Sequence, residues 1–321
     1  MTISYPYMNR RSFLSLPLAS AAMAQSTRPV EPFDAHSPLV IEGPQAGKPH
    51  AGKTLALIQP HSDDIPIFAA GTAFKLIDEG YKAYLIRVTN DDMAGPGWYA
   101  ETVTANERDN NAVGKVFGVE KVFDLNYNNH TMDNIARSEL RGRFIFLFRM
   151  LKIDTVICYD PWGHYEENPD HYVTAACVEA AAWMAGGSKD YPEHFHAGLK
   201  PHGVREKYYF ARFQQRVNRV VDISKYVEKK IDVNLENVAQ GPAGVNGSRL
   251  RASLEKQGKR LPLLGNSDTE ANRNYIREFV LGRDREIGKR YGLSYAEQFL
   301  YIGPGDGYSP AEYIKKNAVP R

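Results

Sequence analysis

The feature that most restricts the fold of this chain is an alternation. Short apolar runs without helical period exchange with longer segments that do carry one. Residues 54–60, 82–89, 121–126, 155–159 and 205–212 read as strands, being rich in Val, Ile, Leu and aromatic residues. Between them, 65–80, 101–118, 138–152 and 171–185 read as helices, the first two closing on glycine. Strands that alternate with helices require crossover connections, and crossovers make neighbouring strands parallel. The expected class is therefore α/β, a mostly parallel sheet with helices on both faces. After about residue 222 the alternation fades. Residues 222–238 and 270–291 read as helices, and 240–265 as a Gly- and Pro-containing excursion that is either a surface loop or a rim over a site. Neither internal repeats nor low-complexity tracts interrupt the chain, and 321 residues suffice for a large core.

The N-terminus reads differently. Asn9-Arg10-Arg11-Ser12-Phe13-Leu14 is a twin-arginine pattern, followed by a weakly apolar run and a small-x-small site at Ala22-Met23-Ala24. That run falls short of the roughly 20 residues that span a bilayer. Residues 1–24 are expected to be a twin-arginine export signal, which predicts a periplasmic or extracellular protein with no stable membrane span once the signal is removed. Residues 25–50, rich in Pro, Ser and Gly, read as a linker, 51–240 as the core, and 241–321 as a C-terminal extension packing on it. Loss of Arg10 and Arg11 with the signal takes the formal charge from +2 to 0. A neutral chain gives no electrostatic reason for a nucleic-acid or anionic-membrane partner. Cys158 and Cys177 lie in apolar surroundings and read as small buried hydrophobes rather than a disulfide framework.

Two polar clusters stand at expected strand ends. Gln59-Pro60-His61-Ser62-Asp63-Asp64 follows the first strand, and Tyr159 to His171 (YDPWGHYEENPDH) follows the fourth. Parallel strands put both on one rim of the sheet, where open α/β sheets bind ligands. His61, Asp64 and His171 would then offer two nitrogens and a carboxylate to a cation, with a position left for water, the pattern of catalytic rather than structural zinc. Asp63 would be free to take a proton. The plainer alternative is a capping histidine and an Asp-Asp pair at a helix N-terminus. Asp92 follows the second strand, beside Asp91, and either contacts substrate hydroxyls or caps a loop. Trp162 and Trp98, on loops of the same rim, either stack on a sugar ring or pack. His194 and His196 are spaced for a metal but show no third ligand. A nucleotide-binding oxidoreductase is excluded, because the first strand is followed by H-S-D-D and not by G-x-G-x-x-G.

These residues resemble a known family. P-H-S-D-D is similar to the P-H-P-D-D signature of the zinc-dependent de-N-acetylases of N-acetylglucosamine conjugates, the PIG-L or LmbE-like family, and N-P-D-H to its H-P-D-H. Val220-Val221-Asp222-Ile223-Ser224, residues 230–240 and Tyr295-Ala296-Glu297-Gln298-Phe299 extend the likeness more weakly. The resemblance implies a Rossmann-like fold, with His61, Asp64 and His171 as ligands to Zn2+ (another divalent metal being possible) and Asp63 as general base. It also implies a substrate-facing Arg108, although Glu107-Arg108-Asp109 reads equally as a solvated helix face. The implied activity is removal of an acetyl group from an N-acetylated amino sugar conjugate, so the implied partner is a small-molecule or glycan substrate. Three departures bear on catalysis. Asn168 stands where the family has the first histidine of H-P-D-H, and Asn237 and Ala239 replace the His and Ser of a later H-x-S-Q. Asparagine can donate a hydrogen bond to an oxyanion but cannot shuttle a proton. The acid role then passes to His164 or Asp63, or the chain is a weakly active or non-catalytic carbohydrate-binding relative, or an amidase acting on a non-sugar amide.

Overall fold

In the computed structural model, residues 38–304 and 310–320 are described. The segment expected to be an export signal lies outside them. The described strands are β1 (Val40–Glu42), β2 (Thr54–Gln59), β3 (Lys82–Thr89), β4 (Lys121–Tyr127), β5 (Thr155–Tyr159), β6 (Glu206–Phe210), β7 (Arg219–Asp222) and β8 (Ala296–Ile302). They form one sheet in the order β1-β7-β8-β6-β5-β2-β3-β4. Every pairing is parallel except those of β8, which runs antiparallel to both β6 and β7. Helices lie on both faces: α1 (Asp64–Phe68), α2 (Ala70–Asp78), α3 (Tyr99–Phe117), α4 (Arg137–Leu151), α5 (Pro169–Met184), α6 (Glu193–His196), α7 (Val227–Leu235), α8 (Asn246–Glu255), α9 (Asp268–Tyr275), α10 (Gly282–Arg290) and α11 (Pro310–Asn317). The expected mostly parallel α/β architecture is what the chain adopts.

The central strands explain themselves. β2 and β5 are buried along nearly their whole length, as the unbroken apolar runs TLALI and TVICY require of strands covered on both faces. From β2 the chain steps outward to β3 and β4, then returns to place β5 on the other side of β2. That reversal opens a crevice between the carboxyl ends of β2 and β5, the place where doubly wound sheets bind ligands.

Three expectations need correction. The helix expected over 65–80 is broken at Ala69 (φ −144°, ψ 10°) into α1 and α2. The cause lies far away in sequence. Glu297 on β8 accepts hydrogen bonds from the backbone N–H groups of Gly71 (2.9 Å) and Thr72 (2.8 Å), so its charge caps a fresh helix start. Lys230 neutralises Glu297 at 2.6 Å and also meets Asp284 at 2.7 Å. Gly71 is required there, since a Cβ would stand 2.5 Å from Ile223 Cγ2. Second, the expected linker contains β1, which pairs in register with β7 (Ile41 opposite Val220); three residues are too few to show a period. Third, β8 comes from the expected extension yet lies inside the sheet, so that segment completes the core and does not merely pack on it. In the same C-terminal region α8 occupies part of 240–265, and the helix expected over 270–291 is divided into α9, a π-helical turn (Ile276–Val280) and α10.

Candidate active site

The loop after β2 and the start of α5 bring His61, Asp64 and His171 together at the crevice, all three buried. His61 Nδ1 lies 3.0 Å from His171 Nε2 and 3.4 Å from Asp64 Oδ2, and His171 Nε2 lies 3.5 Å from Asp64 Oδ1. The outer nitrogens face carboxylates. His61 Nε2 is 3.0 Å from Asp170 Oδ2, and His171 Nδ1 is 3.0 Å from Glu166 Oε1, out of line for a full hydrogen bond. Outer nitrogens that face carboxylates carry the ring proton, so the inner nitrogens present lone pairs to each other. Such a contact is repulsive unless a proton or a cation lies between them.

The donor set fits a divalent cation. Tetrahedral zinc with bonds of about 2.0–2.1 Å needs ligand separations near about 3.3 Å, which the three observed distances straddle. Asp170 Oδ1 and Glu166 Oε2 are buried with no hydrogen-bond partner among the described residues, which marks the surroundings as rich in negative charge. The titration pattern agrees. Burial pushes the His61 imidazole down, yet the contacts to Asp170 and Asp64 outweigh it and hold the ring well above its usual value. Burial likewise pushes Asp64 up, but His171 and His61 draw it down to about 2. Asp63 is raised to about 7, by burial first and by the charge of Asp64 second. A cation at the cluster would displace the proton from His61 and pull Asp63 back down.

Residues that sequence reasoning passed over shape this site. Tyr159, the last residue of β5, stacks on His171 (centroids 4.1 Å apart, planes 16° apart) and donates to Asp64 Oδ1 at 2.8 Å. The Arg212 guanidinium, just past β6, lies against the Tyr159 hydroxyl in the field of Glu166 and Asp64. Asp91 accepts from Ser62 N–H at 3.1 Å and from the fully buried Arg87 at 3.0 Å, which fixes the His61 loop to the end of β3. The segment after α7 closes over the loop as a rim. Gln240 Nε2 donates to Ser62 Oγ at 2.9 Å, and Gly241 (φ +83°) passes so near Asp63 that a Cβ would be 2.6 Å from its Oδ2. A buried arginine at a strand end and an isolated glycine were the only signals available for these contacts.

The other expected site residues are placed less centrally. Asn168 caps α5, its Oδ1 accepting from Asp170 N–H at 2.9 Å. His164 is exposed, its ring 6.4 Å from that of Tyr165. Asp92 is buried, and its oxygens accept from Asn128 Nδ2 (2.6 Å) and Asn129 N–H (2.9 Å), so it grips a loop. Arg108 is exposed and turned onto its neighbour Asp109 at 3.0 Å. Trp162 is half-exposed, edge-on to Tyr209, and Trp98 is almost wholly exposed. His194 is taken up by Arg149, whose Nη1 lies 3.1 Å from Nδ1.

A parallel-rich sheet with two histidines and a carboxylate gathered at its reversal point defines a class, the doubly wound α/β proteins with a site at the strand ends, and the fold resembles LmbE-like deacetylase folds. Within it, residues 56–182 match the family model described as PIG-L: GlcNAc-PI de-N-acetylase. A diacetylchitobiose deacetylase of Thermococcus kodakarensis is 26% identical over 196 residues, which are 60% of this chain and 72% of that protein. The solved N,N'-diacetylchitobiose deacetylase of Pyrococcus horikoshii shares the fold with a TM-score of 0.62 at 22% identity, covering 78% of this chain and 84% of its own. So does GalB, the 4-carboxy-2-hydroxymuconate hydratase of Pseudomonas putida, with a TM-score of 0.57 at 16% identity, covering 80% of this chain and 99% of its own. The fold thus carries more than one chemistry, and the site must decide between them.

Proposed function

We propose that this protein is a metal-dependent hydrolase that removes the acetyl group from an N-acetylated amino sugar conjugate. One observation carries the reading: His61 Nδ1, His171 Nε2 and the Asp64 carboxylate converge within metal-ligand distances at the sheet's reversal point. The match of residues 56–182 to a de-N-acetylase family model and the likeness to a diacetylchitobiose deacetylase support the substrate class. A divalent cation, zinc by our expectation, supplies Lewis-acid chemistry there, making water more acidic and a carbonyl more electrophilic. The protein supplies the rest. Asp63, beside a ligand but outside the cluster, takes the proton of the attacking water. Asp170 and Glu166 orient the two imidazoles, and Tyr159 orients Asp64. Arg212 provides positive charge on the Tyr159 side, where negative charge develops on the carbonyl oxygen. Trp162 offers an exposed ring face to the sugar.

A carbohydrate-binding relative without turnover is the second reading, favoured by Asn168, an amide that caps α5 and cannot carry a proton. Metal analysis of the purified protein, combined with acetate release over a panel of N-acetylglucosamine derivatives, separates the two. Bound metal with acetate release is the expected result. Bound metal with no release from any member would establish the binding reading in its place.

A further inference from the structure

The loop after β4 starts two strands away from β2, yet it folds back to the cluster. His130 N–H donates to Asp170 Oδ2 at 2.9 Å, the same oxygen that stands 3.0 Å from His61 Nε2. The loop is gripped from both sides. Asp92 holds Asn128 and Asn129, Thr131 Oγ1 donates to the Asn128 carbonyl at 2.9 Å, and Met132 is fully buried in the core. His130 itself adopts φ +58°, a left-handed conformation that a side chain pays for and that the contacts on either side enforce. Despite this grip its side chain is exposed. A histidine kept for packing would be covered; this one is held by its backbone at the edge of the cluster with the imidazole left in solvent.

We infer that His130, anchored to Asp170 one hydrogen bond from His61, is the proton donor to the departing amine, and this rests on the hydrolase reading above. Asn168 cannot carry a proton, and His164 is tied by its backbone N–H to Gln215 at 3.2 Å, not to a residue that touches the cluster. Histidine is the side chain that most often serves as a general acid. The step balances. Water's oxygen bonds to the amide carbon and one of its protons passes to Asp63. The C–N electron pair leaves on nitrogen, which takes the proton of the His130 imidazolium, and acetic acid and the amine depart. Asp63 then loses its proton to solvent and His130 regains one. Asp92 becomes a positioning residue for this loop rather than a substrate contact.

Metal-loaded His130→Gln and His130→Ala test the assignment. Both are expected to keep the parent's metal content and melting temperature, while kcat on N-acetylglucosamine derivatives falls about 10²–10⁴-fold. Imidazole in solution should restore at least about tenfold of the lost rate in His130→Ala. On 4-nitrophenyl acetate, whose leaving group departs without a proton, the loss should stay under about threefold. Undiminished turnover in both variants, or a loss that imidazole does not relieve, overturns the inference while an active parent leaves the hydrolase reading standing. A metal-loaded parent that releases no acetate overturns both.

Discussion

Asp63 and Asp64 are adjacent carboxylates, the first half-buried and the second buried, yet Asp64 is drawn down to about 2 and Asp63 raised to about 7. The difference is contact. Asp64 faces both imidazoles and accepts from Tyr159 and the His61 backbone, whereas Asp63 faces Gly241 and the charge of its neighbour. Asp63→Asn is therefore expected to retain the metal and lose turnover by about 10²–10⁴-fold, read from metal content and acetate release on the same sample. Full activity in that variant removes Asp63 from the base role. Tyr159→Phe keeps the stack on His171 and deletes the hydrogen bond to Asp64; its metal affinity should fall about 10–100-fold in chelator competition. At this scale the convergence of His61, Asp64 and His171 was legible, because parallel strands carry both of their loops to one rim of the sheet. Asp92 and Arg108 were not. A carboxylate past a strand grips a loop as readily as it meets a sugar, and only the folded position of Asn128 and Asn129 decides which.

Among the elements, the break between α1 and α2 shows how distant segments set local structure. Glu297, Lys230 and Asp284 form a fully buried charged group whose carboxylate caps α2. Removing the cation leaves two carboxylates buried without it, so Lys230→Met should cost about 3–5 kcal/mol in denaturant unfolding. A cost within experimental error of zero would mean that water reaches the pair. Strands β2, β3 and β5 were readable from composition because they are covered on both faces. β1 and β7 span three and four residues, too short for any period to register. β8 mixes Glu297 and Gln298 into an apolar run, and that glutamate belongs there only because α2 begins opposite it.

For the molecule as a whole, a cation held at the cluster would link ligand binding to folding. A cation that binds only the folded chain stabilises it by about 2.7 kcal/mol at a hundredfold excess over its dissociation constant. Treatment with a strong chelator should therefore lower the melting temperature, and adding back Zn2+ should restore it. Equal melting temperatures with and without chelator would argue that nothing is gripped at His61, Asp64 and His171.

The position of β8 has a further consequence. This strand, far along the chain from β1, is wedged between β6 and β7 and joins the edge formed by β1 and β7 to the rest of the sheet. During synthesis β1 and β7 must wait for residues 296–302 to leave the ribosome before they can dock. Glu297 arrives with β8, so the start of α2, just beyond the Asp64 helix, also stays uncapped until then. Termination before residue 296 would thus leave β1 and β7 unjoined to the rest of the sheet and α2 without its cap, next to the loop that carries His61 and Asp64.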